Sequence, residues 1–262
     1  MRESHPLALI DVSKVYGAGQ AAVRAVDHAN LYVDEGEIVA IVGPSGSGKT
    51  TLLSVAGCLL RPTTGSVRVL GEEVTQMGEL RLAKFRLRHV GFVFQSFNLL
   101  PSLSAHENVE IALNLAGRSG RDAWERARTL LELLDLAHRS GNRPGDLSAG
   151  EQQRLAVARA LANRPDVILA DEPTANLDSR AGRRVMELMR SAVEAGEAKA
   201  LVVVTHDMRI IDLAHRVLTM EDGILAARSI RERDDERAAG DREEEARFAF
   251  PPNDPSRSRS KP

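Results

Sequence analysis

Cysteine is nearly missing from this chain: Cys58 is the only one among 262 residues, so no internal disulfide can form. Its place on the helix expected after a glycine-rich loop suits a small buried side chain better than a reactive thiol. Long apolar runs are missing too. A helix that crosses a bilayer needs roughly 18–20 apolar residues, and the longest runs here are strand-length pieces such as Leu201 to Val204. The chain is therefore expected not to span a membrane. The opening MRESHPLALIDV has no basic segment followed by a long apolar one, so no export signal is expected, and the location expected is cytoplasmic. Aromatic residues make up 3% of the chain, too few for a base-stacking surface. A net charge of -2 gives no general electrostatic reason to bind nucleic acid, which is not expected as a partner. No internal repeat is found. What is present is a hydrophobic content of 43% in a chain long enough for one large domain, or for a core with a subdomain.

Leu7 to Val12 alternates like a strand, Tyr16 to Gln20 carries turn residues, and Val23 to Val33 reads as a second strand before a turn at Asp34 to Gly36. An antiparallel sheet is expected there. Glu37 to Val42 (EIVAIV) is an apolar, β-branched run suited to a buried parallel strand, and TLLSVAG downstream has helical spacing. Arg61 to Gly65 breaks the chain, Ser66 to Leu70 reads as a strand, Leu80 to Arg88 as a basic helix and Val90 to Phe94 as a short buried strand ending at Gln95. From Ser104 to Ala137 the pattern is helical, with Trp124, Ala127, Leu131 and Leu134 spaced to form one apolar face. Helix and apolar strand then alternate again through Val167 to Ala170 and Leu201 to Thr205, so the core is expected to be α/β. Residues 230–262 are densely charged and proline-bearing with little to bury, and a disordered tail is expected.

Between the strand EIVAIV and the helix that follows lies GPSGSGKT, from Gly43 to Thr50, which fits G-x-x-x-x-G-K-[ST]. Gly43, Gly46 and Gly48 carry no Cβ, so Pro44, Ser45 and Ser47 can sit on a backbone that turns its N–H groups inward, towards a polyphosphate. The new helix, from Lys49 through Thr50 and Thr51, adds its positive end. Lys49 would neutralise the β and γ phosphates, and Thr50 would offer its hydroxyl to Mg2+.

Far downstream, VILAD ends an apolar strand in Asp171, and Glu172 follows at once. Asp171 can hold the hydrated Mg2+ that Thr50 also touches, leaving Glu172 to aim at an attacking water as general base. The alternative is a structural carboxylate beside Pro173. Ser148 and Glu151 form S-x-x-E, a capping box at the start of a helix expected over Gln152 to Asn163, whose free N–H groups make a second anion site. Taken alone, the same residues fit an ordinary capped helix.

The motifs together, in this order, resemble those of the ATP-binding cassette (ABC) ATPases over roughly residues 7–229: GPSGSGKT as Walker A, Gln95 as the Q-loop, Leu147 to Gln152 (LSAGEQ) as the signature, VILADE as Walker B, Ala175 to Asp178 (ANLD) as the D-loop and His206 as the switch histidine. The resemblance implies an α/β fold: a P-loop NTPase core of the ABC type, an antiparallel β subdomain and an α-helical insert at about 96–163, with the whole ATPase domain at 1–229. It implies ATP and Mg2+ as ligands. Tyr16 matches the aromatic that stacks on adenine, although a lone Tyr before a turn also reads as packing. Gln95 would sense the metal and the water, and His206 would contact the γ-phosphate and hold Glu172; by itself a histidine at a strand end reads equally as a surface residue. Ser148, Ala149, Gly150 and Glu151 would complete the site of a second copy, so that two ATPs hold a head-to-tail dimer. The sequence has Ala149 where this family usually has Gly, and Glu151 where it often has Gln; the added methyl would weaken or shift closure.

The resemblance also implies a separate membrane permease, received by the segment after Gln95, where Phe97, Leu99, Leu100 and Leu103 are the candidate contacts. The chain would then sit peripherally at the inner face of the membrane. Within the family, HVGFVFQSFNLLPSLSAHENV and AGCLLRPTTGSV resemble the lipoprotein-release and macrolide-export group. Two other readings remain. One is an ATPase of the cell-division type, which signals through a membrane partner without transport. The other is a soluble ABC protein, which would usually show a long coiled-coil insertion or tandem cassettes.

Overall fold

The computed structural model describes residues 5–227; the tail expected at 230–262 lies outside them. Two sheets organise the fold. In the first, β1 (Leu7–Tyr16) pairs antiparallel with β2 (Val23–Val33). Pairing runs on past Val12, into the stretch expected to turn, because three register shifts absorb the break in alternation. The central sheet begins with β3 (Ile38–Val42), followed by α1 (Lys49–Ala56). β4 (Thr64–Val69) and the short β5 (Glu72–Glu73) return to the first sheet, whose order is β2-β1-β4-β5. β4 starts inside the expected break because Gly65, at φ 89°, lies so close to β1 that a Cβ would stand 2.3 Å from the Asp11 carbonyl oxygen. Nothing in the apolar pattern of the two glutamates marks β5.

α2 (Glu79–His89) leads into β6 (Val90–Val93), and a helical segment follows: α3 (Ala105–Leu115), α4 (Arg121–Leu133) and α5 (Ala149–Leu161). The continuous helical pattern expected over Ser104 to Ala137 is in fact two helices, parted at Gly117 and Gly120, both at positive φ. The expected apolar face also needs correction. Ala127, Leu131 and Leu134 are buried as expected, but Trp124 is 49% exposed, between the His106 ring and the Arg128 guanidinium, and Ala123 and Leu130 complete the stripe in its place. α5 begins three residues earlier than expected because Ser148 caps it directly. β7 (Val167–Asp171), α6 (Ser179–Glu194), β8 (Ala200–Thr205), β9 (Arg216–Glu221) and β10 (Ile224–Ala227) complete the chain.

The central sheet has the order β10-β9-β3-β8-β7-β6, and every pairing from β9 through β3, β8 and β7 to β6 is parallel. Both faces of its middle strands are buried, which explains their unbroken apolar runs. Along each strand alternate residues serve different cores. Ile38, Ile168, Ala170, Leu201 and Val203 pack with α3 to α6, whereas Val39, Ile41, Leu169, Val202 and Val204 pack with α1 and the antiparallel sheet. The helical segment thus shares its apolar cluster with one face of the sheet. Arg126, buried on α4, fastens it further by donating to the carbonyls of Leu161 and Ala162 and to Glu197. Cys58 is buried as expected, but in the turn beyond α1 at φ 60°, and burial pushes its thiol up to about 11.

The far end of the loop after β6 is tied down by a buried asparagine. Asn108, fully buried on α3, accepts from the Leu100 N–H at 2.8 Å and donates to the carbonyls of Leu100, Leu103 and Ser104. Asn108→Ala would orphan these groups and should lower unfolding free energy by on the order of 2–4 kcal/mol, measured by urea denaturation; a change under about 0.5 kcal/mol, the level of an ordinary surface substitution, would show that the loop does not depend on it.

Candidate functional site

The parallel register brings stretches far apart in sequence to one sheet edge. Val42, the last residue of β3, pairs with Thr205 of β8, and Asp171 of β7 pairs with Val204. A cavity of about 520 Å3 opens at this edge. One wall is the loop and the start of α1, through Ser45, Gly46, Gly48, Lys49, Thr50 and Thr51; Gln95, Glu172 and His206 form the other. Open α/β sheets bind ligands at this end of their strands.

Close approach dictates the loop's glycines. A Cβ on Gly43 would lie 2.0 Å from the Met220 carbonyl oxygen, and one on Gly48, at φ 103°, would lie 2.0 Å from that of Ala25. Neighbouring strand backbone therefore clamps the loop at both ends. Ser47 is buried inside the loop and donates its N–H to the Pro44 carbonyl. Lys49 is buried, and its ammonium donates to the carbonyls of Gly43 and Pro44, each at 2.8 Å. These neutral acceptors orient the cation over the loop and leave its charge uncancelled, which suits an anion arriving at the helix N-terminus.

Glu172 stands at φ 45°, a left-handed conformation that costs a non-glycine residue roughly 1–3 kcal/mol and is found at functional sites. Three groups of the β8 end converge on its Oε2: the Thr205 hydroxyl at 3.2 Å, the His206 N–H at 3.3 Å and His206 Nδ1 at 3.0 Å. The carboxylate is thus held by one oxygen, leaving Oε1 for a further partner. Thr50 Oγ1 donates to Asp171 Oδ1 at 3.1 Å. Burial raises the Asp171 pKa above the ordinary carboxylate value; the Thr50 hydrogen bond opposes this, the adjacent Glu172 charge adds to it, and Lys49 opposes it. Two neighbouring carboxylates, one of them unfavourably ionised, with a hydroxyl and the Gln95 amide at the same cavity, make a hard-oxygen donor set. Such a set suits Mg2+, with most of the shell left to water and phosphate oxygens.

The remaining expected residues lie elsewhere. Tyr16 ends β1, is 42% exposed and has the Lys14 ammonium 5.4 Å from its ring centroid; it does not line the cavity. Asp178 caps α6 by accepting from the N–H groups of Arg180 and Ala181. Ser148, Ala149, Gly150 and Glu151 form the first turn of α5 with its capping box, outside the cavity. Of the segment after Gln95, Leu99 packs on the helical-side core and Leu100 is exposed. None of Phe97, Leu99, Leu100 and Leu103 lines the neighbouring groove of about 510 Å3, whose wall from this segment is Asn98. Leu87 of α2, Phe92 and Phe94 at β6, Leu115 of α3 and Arg159 of α5 also line it.

Three functional side chains escaped the sequence reading. Thr205 is fully buried and grips Glu172, Asn176 donates to the Gln95 carbonyl at 2.8 Å, and Ala25 closes the cavity beside Gly48. The first two sit inside or beside the motifs, at Thr205 before His206 and Asn176 within ANLD, so position alone pointed to them. No signal marked Ala25.

The chain is similar to known proteins over most of its length. A family model described as "ABC transporter" matches residues 26–175. An uncharacterized ABC transporter ATP-binding protein of Thermotoga maritima is 51% identical over 217 residues, covering 83% of this chain and 92% of that protein. The macrolide export ATP-binding/permease protein MacB of Rhodopseudomonas palustris is 44% identical over 235 residues, 90% of this chain but 36% of its own length. Among solved structures, the dimeric post-hydrolysis state of the ATP-binding cassette MJ0796 of Methanocaldococcus jannaschii, bound to ADP and Pi, superposes with a TM-score of 0.77 at 40% identity, over 86% of this chain and 100% of that one.

The electrostatics of Asp171 carry a signed consequence. A carboxylate whose pKa is raised by folding favours the native state while protonated, and that contribution is lost as pH rises through its native pKa. Asp171→Asn should therefore raise the melting temperature of the nucleotide-free protein at pH 7 and lose this advantage at pH below the unfolded carboxylate value. Differential scanning calorimetry at the two pH values measures it; a lower melting temperature at pH 7 would contradict the assignment.

Proposed function

From the premise that this chain belongs to the ABC transporter family as an ATP-binding cassette, we propose that it is an Mg2+-dependent ATPase subunit that closes with a second copy and drives a separate membrane permease of the macrolide-export or lipoprotein-release type. The observation that carries this reading is the split between two anion sites. Lys49, Thr50 and Glu172 line one cavity, with Asp171 joined to it through the Thr50 hydroxyl, while the Ser148 capping box stands outside it. A head-to-tail pair would bring the second kind of site onto the first, and the similar cassette MJ0796 is a dimer bound to ADP and Pi.

In the proposed reaction the loop from Gly43 to Ser47 and the N-terminus of α1 bind the phosphates, and Lys49 balances their charge. Tyr16 takes the base from the end of β1. Thr50, Asp171 and Gln95 would hold Mg2+, which when bound shields the β and γ oxygens. Glu172 accepts the proton of the attacking water on Oε1, while Thr205 and His206 hold Oε2. Asp178 serves the seam through the turn it caps. Gln95 is fastened to the D-loop by Asn176, so a movement at the nucleotide reaches the segment after β6.

None of the described helices is long and apolar enough to cross a membrane, and MacB joins an ATP-binding part and a permease in one chain about three times the matched length. In the proposed complex the chain sits at the inner face of the membrane against a permease partner. The groove between α2, β6, α3 and α5 is proposed to receive its helix through Phe92, Phe94 and Leu115.

Glu172→Gln should lower ATP turnover on the order of 100-fold to 10,000-fold and leave ATP-bound dimers that persist through size-exclusion chromatography; wild-type turnover would remove Glu172 from its role. Lys49→Ala and Ser148→Arg chains, each inactive alone, should regain at most one composite site per dimer when mixed. Full activity of either variant by itself, in a phosphate-release assay, would exclude shared sites.

A further inference from the structure

The first turn of α5 already holds an anion of its own. Ser148 donates both its N–H and its hydroxyl to Glu151 Oε2, each at 2.8 Å, and the Glu151 N–H reaches back to the Ser148 hydroxyl oxygen at 3.3 Å. The same carboxylate's Oε1 accepts from Arg139 Nε at 3.0 Å, with His138 Nε2 at 4.0 Å. These hydrogen bonds, from Ser148 first and Arg139 after, hold the Glu151 pKa down to about 2, so the charge persists at any working pH. The Glu151 side chain is 13% exposed, and Arg139 comes from the short turn Ala137–Arg139 that precedes α5. The nearby Arg154 is engaged with the Leu134 carbonyl.

This arrangement is awkward for a helix end that is to receive phosphate from a second chain. The Ser148 hydroxyl proton is committed to a carboxylate, and that carboxylate repels the incoming anion. Resting on the shared-site reading above, we infer that Arg139 is a positioning residue: by gripping Oε1 it cancels the Glu151 charge and holds the carboxylate in place while the Ser148 hydroxyl turns from Oε2 to the partner's triphosphate. A glutamine at 151 would keep the capping box, since Gln serves there as well as Glu, without needing the arginine. The acidic signature and the arginine form one unit.

The test uses the full chain in a Glu172→Gln background, with ATP and Mg2+, and reads the dimerisation constant by analytical ultracentrifugation. Arg139→Ala should weaken ATP-driven dimerisation at least about tenfold, the scale of an uncompensated like-charge contact at an interface. Binding of a fluorescent ATP analogue to dilute monomer should stay unchanged, and the melting temperature should fall only modestly, since Arg139 is 41% exposed. Arg139→Lys should recover most of the loss, and Arg139→Ala combined with Glu151→Gln should restore dimerisation to the level of Glu151→Gln alone. If Arg139→Ala dimerises like its parent, or if Glu151→Gln fails to rescue it, the inference is wrong. A misfolded Arg139→Ala chain that stays misfolded with Glu151→Gln would assign the arginine to the fold instead. A parent that remains monomeric at saturating ATP would overturn the shared-site reading itself, a result distinguishable from all the others.

Discussion

Parallel pairing of β3, β8 and β7 is the constraint on which the rest depends. Its register sets the end of β3 beside Thr205 and sets Asp171 beside Val204, so a phosphate loop, an acid pair and a histidine meet although more than 100 residues separate the first from the others. Backbone hydrogen bonds between buried strands hold this edge rigid, and apolar side chains cover both faces of the sheet. The loop is pressed between the carbonyls of Met220 and Ala25 at its two ends. Its shape is thus decided by strands that supply neither the acid pair nor the histidine.

The site built on this edge is electrostatically incomplete. Lys49 rests on neutral carbonyls, Asp171 is unfavourably ionised beside Glu172, and Glu172 is held in a left-handed backbone conformation. Burial and the neighbouring Glu172 charge work against an ionised Asp171, and the left-handed backbone of Glu172 costs roughly 1–3 kcal/mol.

The first turn of α5 follows the opposite logic. There the helix end is satisfied internally, by Ser148 with Glu151, and Glu151 by Arg139. The start of α1 presents a lysine that rests on neutral carbonyls, whereas the start of α5 carries its own carboxylate. The helical segment links the two, since Arg159 of α5 donates to the carbonyls of Phe97 and Asn98, just after Gln95.

The sequence alone determined the phosphate loop, the acid pair, the capping box and the α/β core. Each of these is a local matter of residue type and spacing, enforced by glycine sterics, helix capping and apolar periodicity over a few residues. The tertiary structure decided what depends on distance through space. It placed Trp124 on the surface, carried β1 on through its bulges, put Thr205 and Asn176 beside Glu172 and Gln95, and moved the apolar groove away from Phe97 and Leu100. It also paired Arg139 with Glu151, twelve residues on and in a different element. The physical reason is that a side chain's partner across a sheet edge or between helices follows from register and packing angle, which local spacing does not encode.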